Sequence, residues 1–136
     1  MDANTRFIVI DDDALNNKIC KSCIMKMFTE ANVTTFTDPQ QGFDFVANEY
    51  GDSNTDHDAI LFLDINMPVM NGWEFLDLFD QLSDNIKSRI KIHMLSSSVD
   101  KRDMERAQTN KNVVYYHIKP LTKETVALIT FAQKKK

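Results

Sequence analysis

The sequence predicts an α/β fold, a doubly wound five-stranded parallel sheet with helices on both faces. Two observations carry this. Short apolar segments and segments of helical period alternate five times along the chain. The segments Phe7–Ile10 and Ile60–Leu63 are wholly apolar, without the period-two alternation of a strand that has one wet face. Such strands are buried on both sides, as in a parallel sheet covered by helices.

Phe7–Ile10 is the first strand. Ala14–Phe28 reads as a helix with Leu15, Ile19, Cys23 and Met27 at four-residue spacing down its apolar face, and Asp13 is placed to cap its start. Val33–Phe36 is a short second strand. Thr37-Asp38-Pro39 opens a second helix, with Pro39 near the first turn and Phe43 and Val46 inward. Gly51–Asp58 is a polar loop. Ile60–Leu63 is the third strand and ends at Asp64. Asn66–Gly72 forms a loop, Trp73–Leu82 a helix, and Ser83–Ser88 a polar connection. Ile90–Leu95 is the fourth strand, followed by Ser96, Ser97 and Ser98. Val99–Gln108 is a helix with few apolar positions. Val113–Ile118 is the fifth strand, closed by Lys119 and Pro120, and Leu121–Gln133 is the last helix. The final three lysines read as a solvated end. With no internal repeat or boundary, residues 1–136 are expected to form a single domain with its core at about 6–133.

Composition narrows the function classes. Sixteen basic against twenty acidic residues leave a net charge of −4, which gives no reason to expect nucleic-acid binding. No apolar run approaches the roughly 18 residues a membrane span needs, and the polar N-terminus lacks the apolar core of a signal peptide. With Cys20 and Cys23 alone, no disulfide framework is implied, and a cytoplasmic location is the default expectation.

In parallel sheets, ligands bind beyond the carboxyl ends of the strands. There the first strand presents Asp11, Asp12 and Asp13, the third Asp64, the fourth Ser96 and the fifth Lys119. Clustered carboxylates repel and resist burial. A hard cation such as Mg²⁺ relieves that repulsion. An ammonium and a hydroxyl nearby suit a phosphoryl group, whose oxygens carry spread negative charge. The set reads as an aspartate that accepts a phosphoryl group with metal help.

The motifs "VIDDD", "LFLDINMPVMNG", "MLSSS" and "YYHIKP", in this order and each at a strand end, resemble those of response-regulator receiver domains, the CheY-like phosphoacceptors of two-component signalling. The resemblance covers essentially the whole chain and implies the flavodoxin-like (βα)5 fold. It implies that Asp64 is the phosphoacceptor. Mg²⁺, with Mn²⁺ as an alternative, is held by Asp12, Asp64 and the backbone carbonyl of Asn66, with Asp11 acting through water. Lys119 pairs with Asp64 and then with its phosphoryl group, Ser96 bonds a phosphoryl oxygen, and Tyr116 is the aromatic that moves with it. The Lys119–Pro120 peptide is expected to be cis, a form accessible because the second residue is proline.

What the resemblance implies of function is a receiver in a phosphorelay. A histidine kinase or histidine phosphotransfer protein donates the phosphoryl group, and the output is a changed protein-binding surface. The protein is expected to be stand-alone, monomeric before phosphorylation, and not an enzyme beyond catalysing its own phosphorylation and dephosphorylation. An aspartyl-phosphate phosphatase of the haloacid-dehalogenase type wants a second Asp two residues after the first, where this chain has Asn66. A dinucleotide binder wants a Gly-rich loop after the first strand, and the glycines are Gly42, Gly51 and Gly72. A degenerate, purely binding receiver is disfavoured by the complete set Asp12, Asp64, Ser96 and Lys119. Cys20 and Cys23 read as core and boundary residues, Asp13 as a cap, and His57, His93 and His117 as scattered. Tyr115 is expected to face away from Tyr116.

Overall fold

The computed structural model describes residues 5–51 and 58–134, with side chains described to residue 130. Eleven elements follow one another: β1 Arg6–Ile10, α1 Ala14–Met27, β2 Asn32–Phe36, α2 Pro39–Glu49, β3 Ala59–Leu63, α3 Gly72–Asp80, α4 Asp84–Arg89, β4 Ile90–Ser96, α5 Lys101–Thr109, β5 Val113–Ile118 and α6 Lys123–Lys134. The strands form one parallel sheet in the order β2-β1-β3-β4-β5, the doubly wound fold that the sequence predicts. Most of the polar loop 51–58, including His57, and the last two lysines lie outside the described residues.

The pleat divides the core in two. Ile8, Ile10, Leu61, Leu63, Ile92 and Met94 face Val46 of α2, the apolar side of α3, Ile86 of α4 and Ala107 of α5. Phe7, Val9, Ile60, Phe62 and Leu95 face Cys20 and Ile24 of α1 and Val126 and Ile129 of α6. The central strands β1 and β3 are buried on both sides, which is why they read as uninterrupted apolar runs. Among the described residues no helix is long and apolar enough to cross a membrane.

Three expectations are corrected. The buried residues of α1 are Asn16, Asn17, Cys20 and Ile24, whereas Leu15, Ile19 and Met27 are 65%, 42% and 37% exposed. The sheet-facing side of the first turn meets polar groups at the strand ends, so amides are buried there and the apolar row is turned outward. The stretch Ser83–Ser88 is not a plain connection. Ser83 caps the short helix α4, Asp84 and the pair Lys87 and Arg89 suit its dipole, and Ile86 is its single buried anchor. One apolar residue in six leaves no period to read. Helix α5 starts at Lys101 behind its cap Asp100, leaving Val99 71% exposed.

Histidines that are far apart in sequence meet across the sheet. The register pairs His93 with Tyr115 and Leu95 with His117. It brings His93 Nδ1 to 2.9 Å from His117 Nε2. Burial pushes His93 down to about 3 and lowers His117 as well, so both rings favour the neutral form. Tyr115 is exposed and stacks on His117.

The loop between β3 and α3 is tight. A Cβ on Gly72 would stand 2.5 Å from the Asp64 carbonyl oxygen and 3.0 Å from Ile65 Cα, both backbone atoms. Gly72→Ala is therefore expected to cost about 1–3 kcal/mol, the range of overpacking. In the same loop Val69 has φ of 71° with its side chain fully exposed. A β-branched residue is strained there. Val69→Asn is expected to stabilise the protein by about 1 kcal/mol, the low end of the left-handed penalty that Asn largely escapes. Urea unfolding of both variants checks the opposite signs, and a destabilising Val69→Asn would show that the valine is not strained.

Candidate functional site

The parallel register brings four strand ends to one edge. Asp64 N–H donates to the Ile10 carbonyl at 3.0 Å, Asp11 N–H to Phe36 at 3.1 Å and Lys119 N–H to Ser96 at 2.9 Å. Asp11, Asp12 and Asp64 each present a carboxylate oxygen within 4.8 Å of the others. Asp11 and Asp64 are buried and Asp12 is exposed. Asp13 stands apart as the α1 cap, accepting from Leu15 and Asn16 N–H.

Lys119 is shared. Its ammonium lies 2.6 Å from Asp11 Oδ2 and 3.6 Å from Asp64 Oδ1, so Asp11 is the closer partner. Burial disfavours its charge, but the hydrogen bond to Asp11 and the charge of Asp64 outweigh this and hold its pKa above the usual lysine value. Asp64 behaves oppositely. Burial, then the charge of Asp11, push it up to about 6 against the pull of Lys119. The Lys119–Pro120 peptide is cis.

Several polar groups around the site carry no marking in the sequence. The Asn16 amide donates to Asp11 Oδ2 at 2.8 Å. The Asn17 amide donates to the carbonyls of Asp11 and Phe36, tying α1 to the ends of β1 and β2. Ser98 is a junction. Its N–H donates to Ser96 Oγ at 3.1 Å, its hydroxyl donates to Asp103 at 2.8 Å, and its carbonyl accepts from Tyr116 Oη at 2.8 Å. The Arg106 guanidinium of α5 lies 4.5 Å over the Trp73 ring at the start of α3. Two adjacent asparagines in the first turn of a helix were the one sequence signal available, since that turn otherwise needs apolar packing. Ser98, Asp103 and Arg106 depend on how the β4–α5 loop folds back. Cys20, buried and pushed up to about 12 mainly by desolvation, is chemically quiet.

The donor set fits a hard divalent cation. All three side chains offer oxygen, as Mg²⁺ prefers. Both oxygens of Asp11 already accept bonds, from Asp13 N–H and from Asn16 and Lys119. That leaves Asp12 and Asp64 with the freer oxygens.

The raised Asp64 pKa has a stability consequence. Between about pH 6 and 4 the folded protein holds a proton on Asp64 that the unfolded chain does not, so lowering the pH through this window favours folding. Above it the buried charge is a cost. Without divalent metal, Asp64→Asn is expected to add about 1–3 kcal/mol at pH 7.5, a gain that shrinks toward pH 4. Thermal unfolding in chelator across this pH range measures it, and a pH-independent difference would contradict the raised carboxyl.

Known proteins share this fold. The chain is similar to a two-component response regulator from Cytophaga hutchinsonii, at 29% identity over 97% of this chain and 98% of that one, with a TM-score of 0.87. It is similar to a response regulator receiver protein from Dyadobacter fermentans, at 27% identity over 96% of each chain, with a TM-score of 0.83. A curated relative, stress response regulator protein 1 of Lodderomyces elongisporus, is 29% identical over 73% of this chain, which spans 25% of that protein's length. The family model of the response regulator receiver domain matches residues 7–130. A parallel five-stranded sheet with this acidic edge, matched over nearly its whole length, places the chain in the response regulator receiver domain family.

Proposed function

We propose that this protein is a phosphoacceptor that takes a phosphoryl group from a partner's phosphohistidine onto Asp64 and thereby switches a protein-binding surface. The observation that carries the reading is Asp64 itself, a buried carboxylate at a strand end with two further carboxylates beside it and a lysine 3.6 Å away. Asp11 has similar company, but both of its oxygens already accept bonds, from Asp13 N–H and from Asn16 and Lys119, which leaves Asp64 as the buried carboxylate with the freer oxygen. An Asp64 oxygen attacks phosphorus, the phosphorus–nitrogen bond to the donor imidazole breaks, and the nitrogen keeps the electron pair. Asp12, Asp64 and the Asn66 carbonyl, with Asp11 through water, would hold Mg²⁺, which would supply positive charge to the carboxylates and phosphoryl oxygens. Lys119 follows the new charge. The protein is not an enzyme toward other substrates, and its donor is a histidine kinase or histidine phosphotransfer protein. It acts in the cytoplasm as a monomer until phosphorylated.

The switch runs through Ser98. Ser96 Oγ now accepts from Ser98 N–H. Its own O–H is left to donate to a phosphoryl oxygen, and as Ser96 turns to do so the bond from Ser98 N–H draws along the residue that binds Tyr116 and Asp103. Helix α5 has Ala107 as its single buried residue, so it is weakly anchored and free to shift. A groove of about 470 Å³ between α5 and β5, lined by Met104, Ala107, Val113 and Tyr116 among others, changes shape with the tyrosine. Partners read this face.

Acetyl phosphate with Mg²⁺ is expected to add one phosphoryl group, seen by intact mass. Asp64→Asn abolishes it, and labelling that persisted there would remove Asp64 as acceptor. Beryllofluoride, a phosphoryl mimic that a Borrelia burgdorferi CheX–CheY complex carries together with Mg²⁺, is expected to change hydrogen exchange across residues 96–119 and to alter Trp73 fluorescence as Arg106 moves. Both effects shrink in Ser96→Ala. Equal responses in that variant would break the proposed coupling.

A further inference from the structure

Asn16 is 7% exposed and stands on the sheet-facing side of α1, where packing alone asks for an apolar side chain. A buried amide is costly unless it is hydrogen-bonded. Its donor goes to Asp11 Oδ2 at 2.8 Å, with Cys20 Sγ a weaker contact at 3.7 Å. The neighbouring Asn17 binds backbone carbonyls and holds the helix to the sheet. The two amides thus divide the work, one on the backbone and one on the carboxylate.

Asp11 Oδ2 has a second donor, Lys119 at 2.6 Å, and Lys119 also lies 3.6 Å from Asp64. A phosphoryl group on Asp64 carries about −1.5 to −2 charge and draws the ammonium toward itself. Asp11, 2% exposed, would then lose its strongest partner with no bulk water to replace it. Asn16 remains. Being neutral, it holds the carboxylate without repelling a cation, as a lysine or arginine at this place would.

We propose that Asn16 is a positioning residue for the divalent cation, one that keeps the Asp11 carboxylate in place when Lys119 turns to the phosphoryl group. This rests on the reading of Asp64 as phosphoacceptor and of the acidic cluster as the Mg²⁺ site. Groups that orient metal ligands typically change metal affinity 10- to 100-fold when removed.

The test is Mn²⁺ binding, read from the free-ion signal in electron paramagnetic resonance, with Mg²⁺ as competitor. Wild type, Asn16→Leu, Lys119→Ala and the double variant are compared. Asn16→Leu, close in volume and without a donor, is expected to weaken binding about tenfold while the metal-free protein stays folded. The loss is expected to be larger in the Lys119→Ala background, where Asn16 is the remaining side-chain donor to Asp11. A role confined to packing would not produce that dependence. Affinities within twofold of their parents in both backgrounds, or equal losses in both, would overturn the proposal. If Asn16→Leu does not fold, Asn16→Ser, which is too short to keep the bond and adds no apolar bulk, carries the same comparison. Asp12→Ala is the separate control: unchanged metal affinity in that variant would overturn the metal site itself, whatever Asn16 does.

Discussion

Lys119 reaches from the end of an edge strand across β4 and β3 to Asp11 at the end of β1, passing within 3.6 Å of Asp64. The rest of the site depends on this contact. Two buried carboxylates side by side repel each other and have lost water, and one ammonium answers both. A buried ion pair is seldom a net gain in stability over apolar packing, so the arrangement is explained by what it makes available. It leaves Asp64 with a pKa of about 6, a carboxylate held in an unfavourable place and ready to be relieved by a cation or altered by a new charge.

The fold supplies the distances. Parallel strands in register end together, and each backbone bond across the edge, from Asp64 to Ile10 and from Lys119 to Ser96, sets one functional residue against the next strand. Gly72 lets the turn after β3 close against the Asp64 carbonyl, and Asn71 caps α3 with a reciprocal bond to Glu74. The acidic side of the site is therefore built on the paired centre of the sheet, where β1 and β3 are hydrogen-bonded on both edges.

The opposite side is built differently. Ser98 gathers Ser96, Tyr116 and Asp103 onto one residue of a loop, and α5 adds little apolar burial of its own. Arg106 over Trp73 is its one link to α3 of this kind, and such a contact is worth about 0.5–1 kcal/mol near a surface. In the proposed switch a small rearrangement at Ser96 would be passed on to α5, because the hydrogen bonds are specific while the packing that opposes motion is slight.

By itself the sequence determined the sheet, the alternation of strands and helices, and the residues at the strand ends. Apolar runs such as Ile60–Leu63 have no other stable place than a doubly covered sheet, and an acid directly after one must stand at the sheet's edge. The cap at Asp13 was equally legible, being a local bond within a few residues, and Asp38 and Asn71 cap α2 and α3 by bonds of the same local kind. Only the tertiary structure decided which partner each group has. The closer pairing of Lys119 with Asp11, the burial of Asn16 beneath it, the His93–His117 pair and the Ser98 junction join residues distant in sequence or brought round by a loop, through strand order and register. The outward turn of Leu15, Ile19 and Met27 belongs with these. Periodicity says that a helix has an apolar row, but which side faces the sheet is settled by the bonds its first turn must make, and here Asn16 and Asn17 make them.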